Sequence, residues 1–244
     1  AAQRARKDTA RIFDAMPVRY WNHWMDGRQP VIYVQNLEGP DEPLLIAPGA
    51  DFQGSLNPTG AGQSLHPVWT PDGAAIVFAA TTDRPKMMYA ETETHLYLVA
   101  ASGGAPRRLT PAGASYSRPQ FNPDGRTLYA FERRNSTPRQ IYFNTRLAAF
   151  AAPAFDQPRI LTAGWDRSID ALAVSADGRA LYLEAEDEGH DRIFRLAAAG
   201  GTVETLFTPQ QGALTGLAIG GDTIVARYSS AADPGQIVRF DAAR

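Results

Sequence analysis

The chain contains no cysteine. Disulfides and thiolate metal sites are therefore excluded, and the redox state of the compartment leaves no trace in the sequence. Long apolar runs are missing as well; no stretch approaches the roughly 18 residues that a membrane-spanning helix needs. Neither charge sign dominates, with 26 acidic against 24 basic residues, so the clustered basic excess of a nucleic-acid surface is absent. Neither nucleic acid nor membrane is expected as a partner. Catalytic signatures are equally scarce: there is no G-x-G-x-x-G and no P-loop. The nearest approaches to the G-x-S-x-G elbow of serine hydrolases, residues 62–66 and 113–117, lack the closing glycine and the strand-to-helix setting. His23, His66, His95 and His190 fall in separate segments without metal-ligand spacing. Taken alone, the chain reads as non-catalytic, with no cofactor and no metal implied.

What the sequence does contain is a repeat. Residues 66–110 hold four short apolar runs, separated by a Pro71-Asp72-Gly73 turn, a polar insertion and a Gly103-Gly104 turn. Alternating apolar residues bounded by Gly, Pro and Asp are the signal for antiparallel strands. The template returns over 118–162 and 170–208, so that Gly73, Gly125 and Gly178 lie 52 and 53 residues apart. A weaker copy begins near Thr215 and stops after its third strand, and residues 30–49 look like the third and fourth strands of an earlier unit. Four-strand units at a period of about 40–50 residues are the mark of a β-propeller. The fold class is thus all-β, a β-propeller of four-stranded antiparallel blades. Blades are expected at 66–112, 118–164 and 170–210, with partial blades at 1–50 and 215–244. Propellers close with about four to eight whole blades, so this sum reads as an incomplete arc of a larger ring. Residues 1–16 are expected to form a short helix. Residues 18–25 and 31–37, joined through Asp26-Gly27, are expected to form a hairpin. Tyr20, Trp21 and Trp24 fit packing between blades better than a binding surface, and 50–65 reads as a Gly-rich linker.

In every copy the turns between strands one and two, and three and four, are short. The long connections are 81–94, 133–139, 184–191 and 228–235, between strands two and three, together with the links from each fourth strand to the next blade. In a propeller both sets emerge on one face, and function usually sits on long loops carried by a rigid scaffold.

The repeat P-x-W-[ST]-P-D-G…IYV…GG…LT resembles the propeller repeats of the periplasmic TolB proteins and the prolyl oligopeptidase family of serine peptidases. Three stretches, VRYWNHWMDG (18–27), LTAGWDRSI (161–169) and AEDEGHDRIFRL (185–196), narrow it. Together they look like the N-terminal propeller of bacterial dipeptidyl- and acylaminoacyl-peptidases, nearest to the dipeptidyl-peptidase 5 type. The resemblance implies an α/β-hydrolase domain of the same polypeptide as partner, short peptides as substrates, and a propeller that gates their access to a serine nucleophile. A periplasmic or secreted location would suit it, and a cytoplasmic one stays open. The competing reading is a TolB-like protein-interaction propeller without catalysis. A propeller lyase or glycosidase would need a convergent metal or carboxylate pair, which the sequence does not offer.

Several loop residues are candidates for substrate contact, each with a plainer alternative. Glu91 and Glu93 either anchor a peptide's N-terminal ammonium or are solvated loop charges. Glu186, Asp187 and Glu188, with His190, form an acidic hairpin that either holds a cation or a partner's arginines, or is simply a solvated loop. Arg133 and Arg134 meet a substrate carboxylate, meet the hydrolase domain, or stay in water. In Trp165-Asp166-Arg167 the tryptophan is expected to cap a blade while an Asp–Arg pair fixes the linker.

Overall fold

The computed structural model describes residues 9–10, 12–13, 18–20, 22–24, 28–47, 52–54, 64–135, 140, 142–221 and 223–241. A short hairpin comes first, β1 (Arg19–Tyr20) with β2 (His23–Trp24), followed by the pair β3 (Ile32–Val34) and β4 (Leu44–Ala47). Three four-stranded meanders follow: β5–β8 (Val68–Trp69, Ala75–Ala80, His95–Ala100, Arg107–Arg108), β9–β12 (Ala114–Phe121, Thr127–Arg134, Arg146–Ala151, Pro158–Ile160) and β13–β16 (Ile169–Val174, Ala180–Asp187, His190–Ala197, Glu204–Phe207). A three-stranded sheet of β17 (Ala213–Gly220), β18 (Thr223–Ser229) and β19 (Gln236–Asp241) ends the described chain. All pairings are antiparallel, and successive sheets stack as an incomplete propeller.

The turn chemistry explains the meanders. At Gly73, Gly125 and Gly178 φ is 69°, 70° and 70°, a left-handed conformation that costs glycine little. Each of these glycines donates its N–H to the carbonyl three residues back, on Thr70, Asn122 and Ser175. The aspartate before each accepts from the backbone N–H two residues on, at Ala74, Arg126 and Arg179. Hydrogen bonding to the charged form lowers a carboxyl's pKa. Asp72 and Asp177 are held low chiefly by the Thr70 and Ser175 hydroxyls, and Asp124 chiefly by the Arg126 N–H.

The second strand of each full blade is buried on both faces along most of its length. That is why β6 reads AIVFAA and β14 begins ALYLEA, near-continuous apolar runs rather than alternations. Fourth strands are short and largely exposed, which blunts the outer edges. The cores lie between blades. Ile46, Phe78 and Tyr97 join β3–β4 to the first full blade, Val77, Leu109, Tyr116 and Phe150 join the first to the second, and Phe131, Leu147, Leu183 and Phe194 join the second to the third. Ile193, Leu214, Ile224 and Ala226 join the third to the last sheet. Each blade is thus held by its neighbours, as in other repeat architectures.

Three expectations need correction. The first hairpin closes within 19–24 and does not pair with β3, which pairs with β4. The stretch 184–191 is no long insertion: β14 and β15 continue to Asp187 and from His190 around a two-residue turn, because Glu188 and Gly189 both take positive φ, 51° and 76°. Trp24 is exposed, stacked on Phe13 with ring centroids 5.9 Å apart, instead of packing between blades. The expected helix over 1–16 lies mostly outside the described residues, as do Trp21, the Asp26-Gly27 turn and most of the 50–65 linker.

Candidate functional site

The long connections meet on one face. Glu93, in the insertion between β6 and β7, accepts from Gly113 N–H just before β9. Arg167, in the link between β12 and β13, donates to Asp187 at the end of β14 at 2.5 Å. His190 Nδ1 lies 3.5 Å from the Gly212 carbonyl in the next link.

On this face each full blade carries the same device from different residues. At one register position near the start of strand three each blade holds a cation or an imidazole: His95, Arg146 and Arg192, the first two opening their strands and the third two residues into β15. Register identifies them as equivalents, since they pair across to Ala80, Glu132 and Ala185 on strand two. Each is matched by a carboxylate. Arg146 forks onto Glu132 with two 2.8 Å bonds, and both side chains are largely buried. Arg192 donates to Asp187 and, at 2.8 Å, to Glu188. His95 Nε2 lies 3.1 Å from Glu93 Oε2. The bond to Arg167 and the nearby Arg192 charge hold Asp187 below its ordinary range, opposed by partial desolvation, while the bond to Glu188 leads the upward shift of Arg192.

Both oxygens of Glu93 are therefore engaged within the chain. Its Oε1 accepts from Gly113 N–H at 2.9 Å and from Asn135 Nδ2 at 2.6 Å, so it straps the first full blade to the second. His95 is buried, and burial, then the Arg108 charge, hold its imidazole below the ordinary 6.5. A carboxylate only accepts, so Nε2 carries the proton and Nδ1 accepts from the Thr110 hydroxyl at 3.1 Å. Hydroxyl, imidazole and carboxylate stand in the order of a nucleophile relay. They cannot act as one: Thr110 is 2% exposed and its oxygen already accepts from Leu96 N–H.

The other candidates are more open. Glu91 is exposed at the end of the insertion, whose 3-10 helix Arg84–Met88 is anchored by Arg84 on Gln29 at 2.8 Å. Arg133 and Arg134, exposed at the end of β10, form no ion pair among the described residues. Glu186 is exposed opposite Asp191, and Glu188 caps the hairpin on Arg192. Trp165 caps its blade as expected, edge-on to Phe194 at 4.9 Å. Asp166 and Arg167 fix the linker through separate partners, Asn144 and Asp187.

A second feature lies where the first strands converge. A hollow of about 510 Å³ is lined by His66, Pro67, Val68, Arg118, Pro119, Gln120, Phe131, Ala171 and Leu172, contributed by all three full blades. The first strands of the second and third full blades are bulged here, with register breaks at Arg118-Pro119 and at Asp170. Bulges re-aim side chains and recur beside binding sites. His66 and Arg118 take left-handed backbone, φ 47° and 49°, a conformation costing roughly 1–2 kcal/mol outside glycine. Arg118 lies over the Phe131 ring, 5.5 Å from its centroid, and donates to the Asp170 carbonyl. Partial desolvation, then the Arg118 charge, hold His66 below its ordinary value. Burial, then the Asp191 charge, push Asp170 up. Burial likewise raises Glu184, although it accepts from Leu217 N–H at 3.2 Å. Sequence reasoning missed this hollow. The signal was available: His66-Pro67 and Arg118-Pro119 occupy the same repeat position, a polar residue where the template is otherwise apolar.

No protein-family model matches the chain. Among curated proteins it is 25% identical over 211 residues to dipeptidyl-peptidase 5 of Aspergillus fumigatus, which covers 78% of this chain and 28% of that protein. It is 27% identical over 219 residues to dipeptidyl-peptidase 5 of Aspergillus oryzae, covering 79% and 29%. The chain thus spans less than a third of the length of the curated relatives it matches. Among solved structures, an acylaminoacyl peptidase in complex with Z-Gly-Gly-Phe-chloromethyl ketone matches with a TM-score of 0.60 at 15% identity, over 97% of this chain and 33% of that one. A putative TolB from Agrobacterium tumefaciens matches with a TM-score of 0.57 at 18% identity, over 86% and 70%. The chain is a propeller related in sequence to dipeptidyl-peptidase 5 and sharing its fold with TolB and peptidase propellers.

Proposed function

We propose that this propeller gates substrate access in a serine exopeptidase, sitting over an α/β-hydrolase domain of the same polypeptide and admitting short peptides. The observation that carries the reading is the sequence relationship to dipeptidyl-peptidase 5 across most of the chain. The placement of the long connections on one face supports it, since a covering domain needs one elaborated face and one plain one. In this reading Glu91, on the insertion that projects from the first full blade, pairs with the free ammonium of the peptide. Arg133 and Arg134 meet the hydrolase domain or a substrate carboxylate. The chemistry, acyl transfer through a serine, would belong to the neighbouring domain. The test is covalent: the full-length gene product should react with a fluorophosphonate probe at a single serine outside residues 1–244.

The likeness to TolB, which covers more of the solved chain than the peptidase match does, favours a second reading as a protein-interaction module. An unreactive full-length product would support that reading and sink the first.

A further inference from the structure

We propose that the hollow between the first strands is a carboxylate-binding subsite, in which Arg118 and His66 hold the terminal carboxylate of a short ligand while its apolar end lies against Phe131 and Leu172. The assignment stands on the geometry of this chain and not on the peptidase reading.

Chemistry selects the ligand. A guanidinium offers five N–H donors in a fork that matches a carboxylate. Arg118 uses its Nη1 on the Asp170 carbonyl and lies over the Phe131 ring. The His66 imidazole forms no hydrogen bond with a described residue, and it shares the hollow with Arg118. Pro67, Val68, Pro119, Phe131, Ala171 and Leu172 supply apolar wall. A volume of about 510 Å³ falls within the roughly 300–1,000 Å³ of small-ligand sites, which combine apolar walls with a few placed polar groups. On the β13 side stands the Asp170 carboxylate, which interacts with Asp191, with Arg118 itself and with Glu186. A second anionic group is disfavoured there, which narrows the ligand to a monoanion.

The backbone points the same way. The last sheet has a left-handed residue at the matching bulge, and there it is Gly216, φ 70°. The fold can therefore fill this position with glycine. The first two full blades instead carry His66 and Arg118 in the conformation that favours glycine, and strain of this kind gathers at ligand sites.

The probe is 3-phenylpropionate, with 3-phenylpropionamide as its uncharged match, titrated into the full-length gene product by calorimetry. The acid should bind about tenfold or more tightly than the amide, as a charge-assisted contact requires. Arg118→Gln should erase that preference. His66→Asn should weaken the acid, while thermal stability holds or rises because asparagine tolerates left-handed backbone. If Arg118→Gln does not fold, Ala171→Leu fills the hollow and keeps both polar groups, and it should abolish acid binding. Equal binding of acid and amide, no binding of either, or a preference that survives these substitutions overturns the proposal.

Discussion

Glu93 Oε2 lies 3.1 Å from His95 Nε2, two residues along the same segment, and the other oxygen of Glu93 holds Gly113 and Asn135 of the next blade. One carboxylate thus closes a blade corner and ties two blades together. Replacing Glu93 with alanine strands the buried His95 Nε2–H and the part-buried Asn135 amide, each costing about 1–3 kcal/mol if it stays unpaired, while the exposed Gly113 N–H turns to water. Glu93→Ala should destabilise the chain by at least about 2 kcal/mol in urea unfolding. A change within about 0.5 kcal/mol, the scale of ordinary surface substitutions, would show that the strap is idle.

The same corner gives a pH dependence. The folded pKa of His95 lies below its unfolded value of 6.5. Above 6.5 the imidazole is neutral in both states. As pH falls below 6.5 the unfolded chain takes up the proton first, so stability declines until the folded pKa is passed. The raised carboxyls of Asp170 and Glu184 act in the opposite sense at lower pH, because ionisation there favours the unfolded chain. Comparing melting temperatures of the parent and His95→Gln between pH 7.5 and 5.5 isolates the histidine. The parent should lose stability relative to the variant on acidification, and parallel curves would refute the assignment.

Glu132 and Arg146 form the buried version of this corner, with side chains 5% and 18% exposed. Removing one partner of such a pair typically costs about 3–5 kcal/mol, because the other charge stays buried. Glu132→Ala should therefore unfold at much lower denaturant concentration, and Glu132→Ala/Arg146→Met should recover part of the loss. A double variant no better than the single one would contradict the pairing.

Glu188 occupies a left-handed position in a two-residue turn that favours Asn-Gly. Its bond to Arg192 is at the surface, and exposed pairs contribute only about 0–1 kcal/mol. Glu188→Asn should thus be neutral or stabilising in thermal unfolding. A clear loss would mean that the Arg192 contact outweighs the turn.

Much of the architecture was legible because the repeated Asp-Gly turns and apolar runs report local physics that recurs three times. The two-residue hairpin at Glu188 was not, because glutamate is an unusual choice for left-handed backbone and the acidic run mimics a solvated loop. The role of Glu93 was hidden for another reason. Its partners Gly113 and Asn135 lie 20 and 42 residues away, and the three corner carboxylates come from three different sequence positions. His66 and Arg118 were visible as repeat equivalents, yet their convergence depends on bulges that no composition signal marks.

The most direct measurement of the central claim is the hydrolysis of a free-amine dipeptidyl-coumarin and its N-acylated counterpart by the full-length gene product. The account predicts cleavage of the free-amine substrate through a serine nucleophile, with Glu91→Gln slowing it by roughly ten- to a hundred-fold, the worth of one shielded ammonium–carboxylate contact. The N-acylated substrate should be left nearly untouched by that change. Equal loss on both substrates would return Glu91 to the solvent, and no hydrolysis of either would contradict the exopeptidase reading itself.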